Sequence, residues 1–152
     1  MKRFIGCVLL ALHALTAWAS SHDMPLRLPG TITPTAYRLA LQVDPNLPTH
    51  SGEVTISVDI KQPAQMIRLH AVDITVQSAV LKIGTQTLKA NARQRSPDVL
   101  DLNFEKTFAK GQGELTISFA GKIEDKDSQG LFRQQEGGDW YAFTQFESIS
   151  AR

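Results

Sequence analysis

Close to its C-terminal end the sequence reads "TQFE", with Gln145 and Glu147 two residues apart around Phe146. On an extended strand both side chains point to the same side. A carboxylate pairs with a cation, and a primary amide both donates and accepts hydrogen bonds. Such a pair could hold a free ammonium on Glu147 while Gln145 bonds to neighbouring peptide groups. Spacing alone favours a plainer reading, in which the two are polar side chains at a strand edge in water. Other groups that could do chemistry are few. The histidines are His13, His22, His50 and His70. No two have ligand spacing and no His-Glu-x-x-His motif is present, so they read as ordinary surface or rim residues. The serines include no Gly-x-Ser-x-Gly elbow, and the single cysteine is Cys7. Gly111 and Gly113 in "KGQGE" form too bare a pattern to cradle a phosphate and read as a hairpin turn. Glu124 and Asp125 lie in a mixed-charge run, "KIEDKDSQG", that reads as a solvated loop. These residues alone do not assemble a complete catalytic site.

The elements that must position them are strands. In "TAYRLALQVD", Tyr37, Leu39, Leu41 and Val43 fall on one face and Arg38, Ala40, Gln42 and Asp44 on the other. That is the period of a half-buried strand. Pro29 and Pro34 bias the lead-in towards extended backbone, and "DPNLPTHSG" reads as a turn-rich connector. The alternation returns in "EVTISVDI", with Val54, Ile56, Val58 and Ile60 inward, and in "DVLDLNF" and "GELTISFAG". "QMIRLHA", "ITVQSAVLKIG" and "TQTLKA" read as further strands, with a tight turn at Gly84. "WYAFTQF" is aromatic and strand-like, after a turn signal at Gly137-Gly138-Asp139. No helical i, i+3, i+4, i+7 spacing follows residue 20. Short strands every dozen or so residues predict an all-β, antiparallel sandwich or barrel-like sheet.

The first residues read as a targeting segment. Lys2 and Arg3 precede an apolar run from Phe4 to Leu15, and Ala17-Trp18-Ala19 supplies a small-x-small cleavage pattern. The run is well short of the roughly 20 residues that span a bilayer. Residues 1–19 are therefore expected to be a signal peptide, and residues 20–152 an exported domain, periplasmic or secreted, with no membrane association after cleavage. Cleavage removes two basic residues and no acid, taking the formal net charge from +1 to −1. It also removes Cys7, so the domain must be held by packing and not by a disulfide. The near-neutral charge gives no basic footprint for nucleic acid.

The ordered set of motifs resembles the N-terminal β domain of the aminopeptidase N family of zinc metallopeptidases. "RLPGTITPTAYRLALQVD" looks like that family's first strand and "HSGEVTISVDI" its second. "IRLHAVDITVQSAVL" is similar to its Leu-His and following Ile/Val-rich strand. "GLFRQQ", Gly130 to Gln135, resembles its Gly-Phe/Leu-Tyr/Phe-Arg segment, and "YAFTQFESISAR" its closing Thr-Gln-x-Glu before Ala-Arg. The resemblance implies a saddle-shaped β domain beside a separate thermolysin-like catalytic domain. It implies that Gln145 lines the pocket for the first side chain of a peptide substrate, and that Glu147 anchors its free α-amine. Zinc, its ligands and the general base would belong to the catalytic domain, whose motifs are not found here. The expectation is therefore a fragment or truncated product, incomplete at the end of its β domain, that contributes to a substrate cleft and is inactive alone. Two other readings share the strand pattern: a stand-alone β-sandwich binding or interaction module, and a family member without catalytic activity.

Overall fold

A computed structural model describes residues 27–146. The expected signal peptide at residues 1–19 and Glu147 lie outside these residues. Nine strands follow one another: β1 Ile32–Gln42, β2 Thr49–Ile60, β3 Ala64–His70, β4 Ile74–Ile83, β5 Gln86–Ser96, β6 Val99–Phe108, β7 Gly111–Lys122, β8 Gly130–Glu136 and β9 Asp139–Gln145. The described residues hold no helix, and the expected all-β architecture is present.

Seven strands form one antiparallel sheet in the order β1-β2-β7-β4-β5-β6-β3, and β8 and β9 form a separate hairpin. The long sheet curls because β5 changes partner along its length. Its first residues, Gln86 to Lys89, pair with β4, and Ala90 to Ser96 pair with β6. Register shifts in β1, β3, β4 and β5 add to the bend. The result is an open trough rather than two stacked sheets, with the terminal strands β1 and β3 lining the same space.

The inner face carries the core that the alternation predicts. Ile56, Val58 and Ile60 from β2, Leu115 and Ile117 from β7, and Ala79 and Leu81 from β4 are buried. Leu100, Leu102, Phe104 and Phe108 from β6, with Ile67 from β3, close it at the other end. Phe104 and Phe108 meet edge to face, with ring centroids 5.1 Å apart. β6 is covered on both faces, since Val99 and Asp101 are buried as well as Leu100 and Leu102. Arg68 of β3 covers the Asp101 face through two hydrogen bonds, 2.6 and 3.0 Å.

Three local expectations are corrected. β1 is a strand, but Tyr37, Leu39, Leu41 and Val43 are exposed, not half-buried, because β1 is an edge and no element among the described residues covers its apolar face. Thr49 to Gly52, expected in a connector, already belong to β2, where ladder pairing to β7 overrides the turn-prone composition. Gly113, expected in a turn, lies inside β7. A Cβ there would stand 3.1 Å from Ile83 and from the carbonyl of Lys82, so the glycine serves the close approach of β4.

Candidate functional site

The candidate pair is split by the described boundary. Gln145 is the last residue of β9 and is exposed, while Glu147 lies outside the described residues. The "GGD" sequence turns the chain between β8 and β9, with Gly137 and Gly138 at φ 61° and 98°, values that side-chain-bearing residues rarely adopt. The register then places Gln145 opposite Gly130, Phe143 opposite Phe132 and Tyr141 opposite Gln134. Directly opposed residues share a face, so Gln145 lines up with Phe143, Tyr141 and Gln134. All four are exposed. Phe143 stacks on the buried Phe132, with centroids 5.5 Å apart and planes inclined by 25°, which holds this row firmly. Gly130 itself is at φ 66°, and a Cβ there would meet nothing within 4 Å. The ground beside Gln145 is therefore open. An amide at the end of an aromatic row, beside a notch, can accept from an N–H or donate to a carbonyl of a chain laid along it.

The opposite face of the hairpin pairs Leu131, Arg133 and Gln135 with Thr144, Ala142 and Trp140, and its arginine is committed to the rest of the molecule. Arg133 lies with its guanidinium carbon 4.3 Å from the centroid of the Trp140 ring. Its Nη1 donates to the carbonyl of Pro45 at 3.2 Å and its Nη2 to Asp125 at 3.4 Å. In the sequence this arginine stands out only as a member of "GLFRQQ", with no role attached. The aromatic at 140, two from the strand-opposed position, was the available signal.

A second concave surface is the trough. It encloses about 660 Å³ and is lined by apolar residues of β1, β2, β3 and β7, among them Leu39, Val54, Ile56, Met66 and Phe119. It offers mainly apolar contact, and the Arg68 guanidinium is committed to Asp101 on the other face of β6. It is remote in sequence from Gln145, and the two are not brought together in one cavity.

His13 and His22 lie outside the described residues; His70 is half-buried at the end of β3, and His50, read as a surface or rim residue, is instead half-buried within β2. His50 sits edge-on to Phe119 at 6.1 Å and over Gly121, where a Cβ would lie 2.5 Å from its Nε2. Its Nδ1 is buried without a hydrogen-bond partner, and burial pushes its pKa below the ordinary histidine value. Glu124 and Asp125 are exposed, as expected of a solvated loop, with the Glu124 carboxylate accepting from the backbone N–H groups of Asp125 and Lys126. Among the described residues, no three of His, Cys, Asp and Glu converge on a point where a metal ion would sit. These residues do not fit a zinc centre, and no metal-assisted step is assigned to them.

Comparison with known proteins adds an independent line. Residues 33–152 match the profile described as the peptidase M1 N-terminal domain. Aminopeptidase M1-D of Oryza sativa subsp. japonica is 30% identical over 142 residues, covering 91% of this chain and 16% of that protein. Puromycin-sensitive aminopeptidase of Caenorhabditis elegans is 29% identical over 134 residues, covering 83% of this chain and 14% of its own length. Aminopeptidase N of Acetobacter pasteurianus is 29% identical over 98 residues, with 64% and 27% covered. The chain thus spans about a sixth of the rice relative's length.

Proposed function

The chain belongs to the peptidase M1 family, whose N-terminal domain it carries, and from that premise we propose that it forms one wall of the substrate cleft of an exported zinc aminopeptidase. In this reading the intact enzyme removes N-terminal residues from peptides. The cleavage chemistry belongs to a catalytic domain elsewhere in the enzyme, which supplies the zinc. What this chain contributes is binding and orientation. Gln145 borders the space for the first side chain of the peptide, and Glu147 pairs with the free α-ammonium, a charge-assisted contact that a blocked N-terminus would forfeit. The leader at residues 1–19 would carry the domain across the membrane.

The observation that supports this reading most is the setting of Gln145. It stands at the end of β9, exposed, on the same face as Phe143 and Tyr141, with the open notch of Gly130 opposite. Domain-level kinship by itself says little about which residues touch a ligand; an exposed amide on a row fixed by aromatic stacking gives the kinship a specific place to act. The test is the substrate profile of the intact enzyme. Gln145→Ala should alter kcat/KM unevenly across peptides that differ in their first residue, by roughly tenfold for those most affected. A uniform effect, or none, would remove Gln145 from the pocket.

A further inference from the structure

Arg133 is the residue on which three separate segments meet. Its side chain is 10% exposed. Nη1 donates to the Pro45 carbonyl in the turn after β1, at 3.2 Å. Nη2 donates to Asp125 in the loop after β7, at 3.4 Å. The guanidinium plane covers Trp140 on β9. Its backbone N–H donates to the carbonyl of Glu124 at 2.7 Å, and Glu124 in turn donates to the Leu131 carbonyl at 3.1 Å. These two bonds form the short bridge between Glu124 and Phe132, and beyond it the β8–β9 hairpin has no described ladder to the seven-stranded sheet. A two-stranded hairpin is marginal in water unless it packs against something. Its orientation therefore depends on the small junction that Arg133 occupies.

We infer that Arg133 is a positioning residue that fixes the angle of β9 against the body of the domain, and with it the place of Gln145. The functional consequence rests on the cleft reading above, whereas the clamp itself does not. Chemistry explains why an arginine serves here. Its planar fork reaches a carbonyl and a carboxylate at once while its face lies on an indole, and a lysine presents one point charge that can satisfy only part of this set. Asp125 is exposed, so its ion pair adds little. The Pro45 carbonyl and the Trp140 face are the contacts that matter.

Hydrogen exchange on the full 152-residue chain tests the clamp. With Arg133→Met, backbone amides of β8 and β9 should exchange about tenfold faster or more, as expected when a charged hydrogen bond and a cation–π contact are lost from a local opening unit. Amides of β2 and β7 should keep their rates. Arg133→Lys should restore part of the protection, and the Gln145 side-chain amide resonances should move towards averaged values in the Met variant and return partway in the Lys variant. Unchanged hairpin rates would overturn the inference. So would equal acceleration in β2, β7 and the hairpin, which would make Arg133 a contributor to global stability only. Should Arg133→Met fail to fold, Trp140→Leu removes the stacking face alone, and the same selective or uniform result decides. These exchange rates are read without substrate, so they stand or fall apart from the kinetics of Gln145→Ala, which leaves Arg133 in place.

Discussion

A buried carboxylate shows how single residues hold the curled sheet. Asp101 is 5% exposed and faces Arg68 at 2.6 Å and Arg95 at 3.6 Å. Its hydrogen bonds from Arg68 hold its pKa below the ordinary carboxylate value, outweighing the opposing effect of burial. A depressed acid pKa stabilises the fold above the unfolded value, near 3.8, and that contribution fades as pH falls through the folded value. Asp101→Asn should therefore cost about 2–3 kcal/mol at pH 7, measured by urea denaturation. The difference from the parent protein should shrink in acid below the unfolded pKa. No residue pattern points to this pair. Arg68 and Asp101 are 33 residues apart, and only the pairing of β3 with β6 brings them face to face.

At the scale of elements, strand identity was legible wherever alternation was strong. β2 and β7 follow their apolar period, because each buries one face against the same core, and β6 keeps the period at Leu100, Leu102 and Phe104 although Val99 and Asp101 are buried on its other face. The second half of β5, "NARQRS", was not legible: all its residues but Ala92 are polar, and it is held by ladder bonds to β6 and not by burial of its own side chains. The tight meeting of β1, β2 and β7 was likewise hidden in one letter. At Gly52 a Cβ would stand 2.8 Å from both Leu41 and Phe119 and 2.9 Å from the carbonyl of Ala40. The Leu41 side chain is exposed and can swing aside, but the Ala40 carbonyl is backbone and the Phe119 ring is buried, so the clash is not relieved cheaply. Gly52→Ala should cost about 1–3 kcal/mol in thermal or urea unfolding, whereas an alanine in place of Gly30, which would meet nothing within 4 Å, should cost far less. Of the candidate site, the strand, the turn before it and the exposed amide could be read from the sequence. The opposed Gly130 and the Arg133 junction could not, since both depend on the register of the hairpin.

Over the described residues the molecule is a curled sheet, and none of its described elements covers the apolar face of β1. Tyr37 and Leu39 are 66% and 56% exposed, and they line the same trough as the buried Ile56 and Ile117. Contiguous apolar surface of this kind marks a place where other polypeptide or ligand packs. The two classes of residue should respond differently. Leu39→Ser should change stability by less than about 0.5 kcal/mol while lowering the binding of an apolar dye. Ile117→Ala should cost about 2–4 kcal/mol. Equal losses would mean that the trough is filled in solution. The central claim is that this domain reads the free N-terminus of a peptide, and kcat/KM of the intact enzyme carrying Glu147→Gln tests it most directly. The loss of one charge-assisted contact should lower kcat/KM for peptides with a free α-amine by about tenfold to a hundredfold. Unchanged kinetics on those peptides would contradict the account.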